Sequence, residues 1–128
     1  MPNFRRRIFL PVFFLLALSA RAAEPVVDWE ASKTETLLHY QSIVRMNTSN
    51  PPGNETLVIN YLRDVLEREG ISYQVFALEP NRANLVARLK GNGRKRPVLI
   101  LGHTDTVGVQ PEMWPVDPFG AVRKDGYV

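Results

Sequence analysis

Apolar and polar positions change their period along this chain, and each change marks an element. From Asp28 to Met46 the residues Leu37, Leu38, Ile43, Val44 and Met46 fall at helical spacings, with Tyr40 beside them. That pattern predicts a first helix. Asp28 stands where a cap is needed, and Ser32 with Glu35 offers a second capping box. Asn50-Pro51-Pro52-Gly53 cannot continue the helix, because proline fixes φ and carries no backbone donor. A second helix is predicted from Asn54 to Gly70. Leu57, Val58, Tyr61, Leu62, Val65 and Leu66 make its apolar stripe. Arg63 with Glu67, and Asp64 with Arg68, stand one helical turn apart on its wet side. Gly70 is placed as the residue just past its end.

Beyond Gly70 the pattern becomes extended. Ile71 to Leu78 alternates in part. Ala83 to Leu89 alternates better, with Leu85, Ala87 and Leu89 on one face and Val86 and Arg88 on the other. Gly91 to Arg96 reads as a loop, and Val98-Leu99-Ile100-Leu101 is apolar on both faces. Such a run predicts a central strand covered on both sides. Lys124-Asp125-Gly126 is a hairpin turn signal whose return arm has only Tyr127 and Val128. The expected fold class is therefore α/β: two N-terminal helices followed by a mixed sheet. The short return arm leads to the expectation that the domain is incomplete.

The first 22 residues follow a different logic. Arg5-Arg6-Arg7 precedes an apolar run from Ile8 to Leu18, and Ala20-Arg21-Ala22 offers small residues at alternate positions. This is the three-part pattern of a secretory signal peptide, cleaved after Ala22; an uncleaved anchor is the rival reading. The run is too short for an ordinary spanning helix and carries Pro11. The expected organisation is thus a signal over residues 1–22 and a truncated domain over residues 23–128. An exported protein is expected, periplasmic or extracellular, with no membrane attachment after cleavage.

Charge adds little to this. Of 16 Lys and Arg, Arg5, Arg6, Arg7 and Arg21 lie in that leader, leaving 12 bases against 13 acids. The body is near neutral, so no nucleic-acid partner is expected. The absence of cysteine from all 128 residues excludes disulfides, thiolate metal sites and a cysteine nucleophile.

Candidate chemistry centres on His103-Thr104-Asp105, at the carboxyl end of the predicted covered strand, where ligands collect in covered sheets. A neutral imidazole there can bind Zn²⁺ through one ring nitrogen. A carboxylate two residues on can take the other N–H and orient the ring, and Asp105 is so placed. Spacing alone is weak, since His-x-Asp also occurs in ordinary surface and core histidines. His39, mid-helix, is read as structural. Arg94-Lys95-Arg96 reads as a solvated loop, Trp114 and Phe119 as packing residues, and Asn50 to Gly53 as either a pocket wall or a rigid connector. Asn47-Thr48-Ser49 and Asn54-Glu55-Thr56 are glycosylation sequons, meaningful only in a host that glycosylates secreted proteins.

Several segments together carry a resemblance. Val98 to Val107 reads V-L-I-L-G-H-T-D-T-V, and Ser49 to Glu55 reads S-N-P-P-G-N-E. Arg82-Ala83-Asn84-Leu85-Val86-Ala87, Trp114-Pro115-Val116-Asp117-Pro118-Phe119 and Asp125-Gly126-Tyr127-Val128 follow in a consistent order. The chain resembles the N-terminal part of the zinc-dependent exopeptidase and deacylase family of aminoacylase, acetylornithine deacetylase, succinyl-diaminopimelate desuccinylase and carboxypeptidase G. The resemblance implies that His103 is a terminal ligand of a site holding two Zn²⁺ ions, and that Asp105 is the carboxylate orienting it. It implies amide or peptide hydrolysis by a metal-activated water, on a small peptide or N-acyl amino acid. The family's remaining ligands, its general base and the smaller domain through which a homodimer forms have no counterpart here. The chain alone is therefore expected to be inactive. One rival is a non-catalytic secreted binding module of the same fold; another is an unrelated secreted hydrolase using His-x-Asp for one metal.

Overall fold

The computed structural model describes residues 26–128. The expected signal peptide and its cleavage point lie outside the described residues.

Helix α1 spans Trp29–Val44, and Asp28 caps it as its position predicts. The Asp28 carboxylate accepts the Glu30 and Ala31 N–H groups at 3.1 and 3.0 Å. The second capping box does not form, because Ser32 already lies inside the helix with its N–H on the Asp28 carbonyl. No residue of α1 is buried. Its apolar side chains are spread around the cylinder: Leu37, Ile43 and Val44 are half-buried while Leu38 and Tyr40 face water. Two polar contacts tie α1 down. His39 Nδ1 shares a 2.7 Å hydrogen bond with the Tyr61 hydroxyl, and Gln41 Nε2 donates to the Ala121 carbonyl at 2.8 Å.

Helix α2 spans Thr56–Arg68 and is strongly amphipathic. Its buried residues are Val58 and Ile59. Ile59 falls outside the predicted stripe, and Leu57, placed within it, is exposed. α2 packs on strand β2 (Ala83–Ala87), and the Thr56 hydroxyl accepts the Ala83 N–H at 3.2 Å. Gly70 ends α2 as expected, with φ +65°, a conformation costly for residues with a Cβ. Of the predicted surface pairs, Arg63–Glu67 forms at 3.9 Å. Among the described residues Arg63 also approaches its neighbour Asp64, at 3.8 Å, in place of the expected Asp64–Arg68 pair.

Strand β1 (Tyr73–Ala77) pairs antiparallel with β2, Val75 opposite Leu85. The expected mixed sheet is absent among the described residues. They hold this antiparallel pair and one isolated parallel bridge, Ser49 to Thr106. Residues 98–101 belong to no strand and are 85–91% exposed. This corrects the covered-strand expectation. An apolar run becomes a central strand only when neighbours satisfy its backbone and layers cover both faces. Nothing among the described residues does either.

The apolar centre is small: Val58, Ile59, Ala83 and Ala121. The Lys124–Tyr127 turn forms as predicted, with Asp125 and Gly126 at φ 52° and 85°, the pairing that two-residue hairpins favour. No helix among the described residues is long and apolar enough to cross a membrane.

Candidate metal-ligand site

Thr48 begins the construction of the site. It lies in the loop between α1 and α2, is 1% exposed, and its hydroxyl donates to the Thr104 carbonyl at 2.6 Å. The Thr48 carbonyl accepts the Thr106 N–H at 3.2 Å, and the Thr106 carbonyl accepts the Asn50 N–H at 2.9 Å. These bonds lie on both sides of Asp105. They hold residues 104–106 against the α1–α2 loop across more than 50 residues of sequence.

On that scaffold Asp105 meets His103. His103 Nδ1 lies 2.9 Å from Asp105 Oδ1 and 3.1 Å from the Asp105 carbonyl. Both partners are acceptors, so Nδ1 carries the proton and the Nε2 lone pair is left free in the neutral ring. The His103 side chain is 85% exposed, so little packing fixes it and its orientation is set by the two Asp105 acceptors, carboxylate and carbonyl. Electrostatics agree with the geometry. The hydrogen bond that His103 donates to the Asp105 carboxylate holds the His103 pKa above its ordinary value. His103 in turn draws the Asp105 carboxyl below the usual range, against partial burial and with help from the Asn50 side chain.

A second polar pair braces the far end of the same loop. Arg82 Nη2 donates to Glu55 Oε1 at 2.9 Å, and the Glu55 side chain is only 9% exposed. Glu55 precedes α2 but makes no cap, because its carboxylate is turned toward Arg82. Gly53 is required here: its φ is +84°, and a Cβ would lie 3.0 Å from both Arg82 Nε and Glu55 Oε2. The loop therefore forms a rigid connector. Its outer side lines a shallow cavity of about 500 Å³ with Asn47, Ser49, Asn54 and Asn81, so the pocket-wall reading of this segment also has a physical counterpart.

The structure thus brings together His103 and Asp105, the residues singled out from the sequence. Thr48 and the Glu55–Arg82 pair were not singled out for the site. Glu55 and Arg82 stand in separate motifs, and their opposite charges were the one available signal. Thr48 carries no signal in sequence, since a threonine in a loop is ordinary. His39 is structural, but it has a carboxylate nearby after all: Glu35 Oε1, one turn earlier, lies 3.6 Å from its Nε2. Trp114 is 51% exposed, contrary to its expected packing role, whereas Phe119 is half-buried. Arg94, Lys95 and Arg96 are solvated as expected. Among the described residues no three His, Asp or Glu side chains converge as a metal site, so His103 with Asp105 offers one ligand position.

No family model matches the chain, and no solved structure does. Curated relatives do. The chain is 31% identical over 103 residues to N-formyl-4-amino-5-aminomethyl-2-methylpyrimidine deformylase of Halalkalibacterium halodurans, covering 77% of this chain and 24% of that protein. It is 35% identical over 97 residues to the probable succinyl-diaminopimelate desuccinylase of Staphylococcus aureus, 74% of this chain and 23% of the relative. The Staphylococcus epidermidis protein of the same name is 37% identical over 86 residues, 66% of this chain and 20% of its own. The chain spans about a quarter of the length of the curated relatives it matches. These relatives are hydrolases named for removing acyl groups. Over 66–77% of its length the chain is similar to acyl-removing hydrolases of the aminoacylase and desuccinylase family, the family its motifs resemble.

Proposed function

We propose that this chain supplies one metal ligand, His103, and its orienting carboxylate, Asp105, to an exported metal-dependent amidohydrolase acting on a small peptide or an N-acyl amino acid. The observation that carries the reading is the state of the imidazole. Nδ1 is committed to Asp105, while Nε2 is free and open to solvent. A carboxylate on the distal nitrogen fixes tautomer and ring direction and makes the other nitrogen a better donor. This donor set fits Zn²⁺, which takes neutral imidazole readily, as one ligand of several. A catalytic zinc uses about three protein ligands, so His103 does not hold one alone. Among the described residues no three His, Asp or Glu side chains converge to complete such a site.

A bound zinc would supply Lewis acidity toward a water and the scissile carbonyl. The chain's own residues do the positioning. Asp105 keeps the His103 proton on Nδ1, and the loop from Thr48 keeps Asp105 beneath the ring. The leader over residues 1–22 supports export, and export favours a peptidase over a biosynthetic deacylase. The family's dimerising domain makes a homodimer part of the same proposal.

The test replaces His103 with alanine in the gene product that carries this chain. Zinc content per protomer and hydrolysis of N-acyl amino acids and dipeptides are then measured. Both are expected to fall, the rate by orders of magnitude. Unchanged zinc stoichiometry and unchanged turnover together would refute the assignment. The chain of residues 1–128 on its own is expected to show no turnover with added Zn²⁺.

A further inference from the structure

An imidazole this exposed has no packing to aim it, so its direction depends on Asp105. Asp105 is half-exposed as well, and its direction depends on the backbone that carries it. That backbone is held at Thr104 by the Thr48 hydroxyl and at Thr106 by the Thr48 carbonyl. Thr48 itself is one of the largest fully buried side chains among the described residues. We propose that Thr48 is the positioning residue of the site: its buried hydroxyl, donated to the Thr104 carbonyl, fixes the segment between His103 and Asp105 and so locks the ring in its Nδ1–H form. The functional consequence rests on the reading of His103 as a metal ligand.

The chemistry calls for a hydroxyl at this point. The Thr104 carbonyl belongs to the peptide between Thr104 and Asp105, so its direction sets where the Asp105 backbone begins. A donor aimed at it from a buried side chain leaves that peptide little freedom to rotate. The Thr106 N–H, donated to the Thr48 carbonyl, restrains the peptide on the other side. The Glu55–Arg82 pair and Gly53 then keep the far end of the Thr48 loop from swinging away.

The test compares Thr48→Val, which keeps the shape and loses the hydroxyl, with Thr48→Ser, which keeps the hydroxyl. The readout is the His103 ring ¹⁵N spectrum of the full chain, taken at a pH where the ring is neutral. The unsubstituted chain is expected to show a single Nδ1–H tautomer, Thr48→Val a tautomer mixture, and Thr48→Ser the unsubstituted pattern. Retention of the single tautomer in Thr48→Val overturns the proposal, and so does a mixture in Thr48→Ser, since burial of the methyl would then be the cause. Should Thr48→Val fail to fold, hydrogen exchange in the unsubstituted chain decides. The Thr106 and Asn50 amides must exchange more slowly than those of Val107 and Gly108, and equal rates overturn the proposal. Zinc content of the His103→Ala gene product separates this from the ligand assignment. If zinc is unchanged there while the tautomer results hold, the metal reading fails and the positioning stands. If zinc is lost there while Thr48→Val keeps one tautomer, the positioning fails alone.

Discussion

At the scale of single residues, the site is an imidazole and a carboxylate that alter each other's protonation. Asp105 favours the charged ring, so the His103 pKa lies above its ordinary 6.5. The ring favours the charged carboxylate, so the Asp105 pKa lies below its ordinary 3.8. The His103 contribution to holding the loop is complete below 6.5 and fades as pH rises through the raised value. The Asp105 contribution is complete above 3.8 and fades as pH falls through the lowered one. An NMR titration of the His103 ring should therefore give a midpoint above 6.5, and Asp105→Asn should bring it back toward that value. A midpoint that does not move in Asp105→Asn would show that the pair is not coupled. Gly53 is the other residue whose identity is forced. Gly53→Ala places a Cβ at φ +84° against the Glu55–Arg82 pair. It should cost at least about 1–2 kcal/mol, read from the urea midpoint.

At the scale of elements, the two helices are held by different means. α2 buries Val58 and Ile59 and packs on β2, so its stability comes from tertiary packing. Val58→Ala should cost about 1.5–3 kcal/mol. The exposed neighbour Leu57→Ala should cost no more than about 0.5 kcal/mol. Equal effects in urea denaturation would place the apolar arc elsewhere. α1 has no fully buried residue and only half-buries Leu37, Ile43 and Val44, so tertiary packing supports it less than α2. Its Asp28 cap therefore matters more. Asp28→Ala should weaken α1 by about 1 kcal/mol, seen as lost helical circular dichroism and faster exchange at Glu30 and Ala31. The caps and turns of both helices were readable from local chemistry: Asp28 has a carboxylate at a helix start, and Gly70 lacks a Cβ at a left-handed stop. The burial arc of α2 was not readable to the residue, because which face is covered depends on what the rest of the chain places against the helix.

At the scale of the whole molecule, the dominant feature is uncovered apolar chain. Among the described residues Val98, Leu99, Ile100 and Leu101 stand in water, and no further strand pairs with the edges of the antiparallel β1–β2 pair. Contiguous exposed apolar surface and unpaired edges favour self-association. The amides of residues 98–101 should exchange without protection. The double substitution Leu99→Lys with Ile100→Lys should reduce self-association by light scattering, with a change in stability within about 0.5 kcal/mol. Strong protection at these amides would mean that another surface covers them.

The sequence by itself determined what short-range chemistry controls: where α1 starts and α2 stops, the extended character of β1 and β2, the Asp125-Gly126 turn, and the placing of Asp105 within reach of His103. Each depends on residues at most a few positions apart, so local sterics and hydrogen bonding suffice. Only the tertiary structure decided that Thr48 closes on Thr104 and that Glu55 closes on Arg82. It also decided that the run over residues 98–101 stays exposed. Those outcomes depend on partners 27 and 56 positions away, or on neighbours that the described residues do not supply. Hydrophobic pattern states that a segment can be buried; only the arrangement of the rest of the chain settles whether anything is there to bury it.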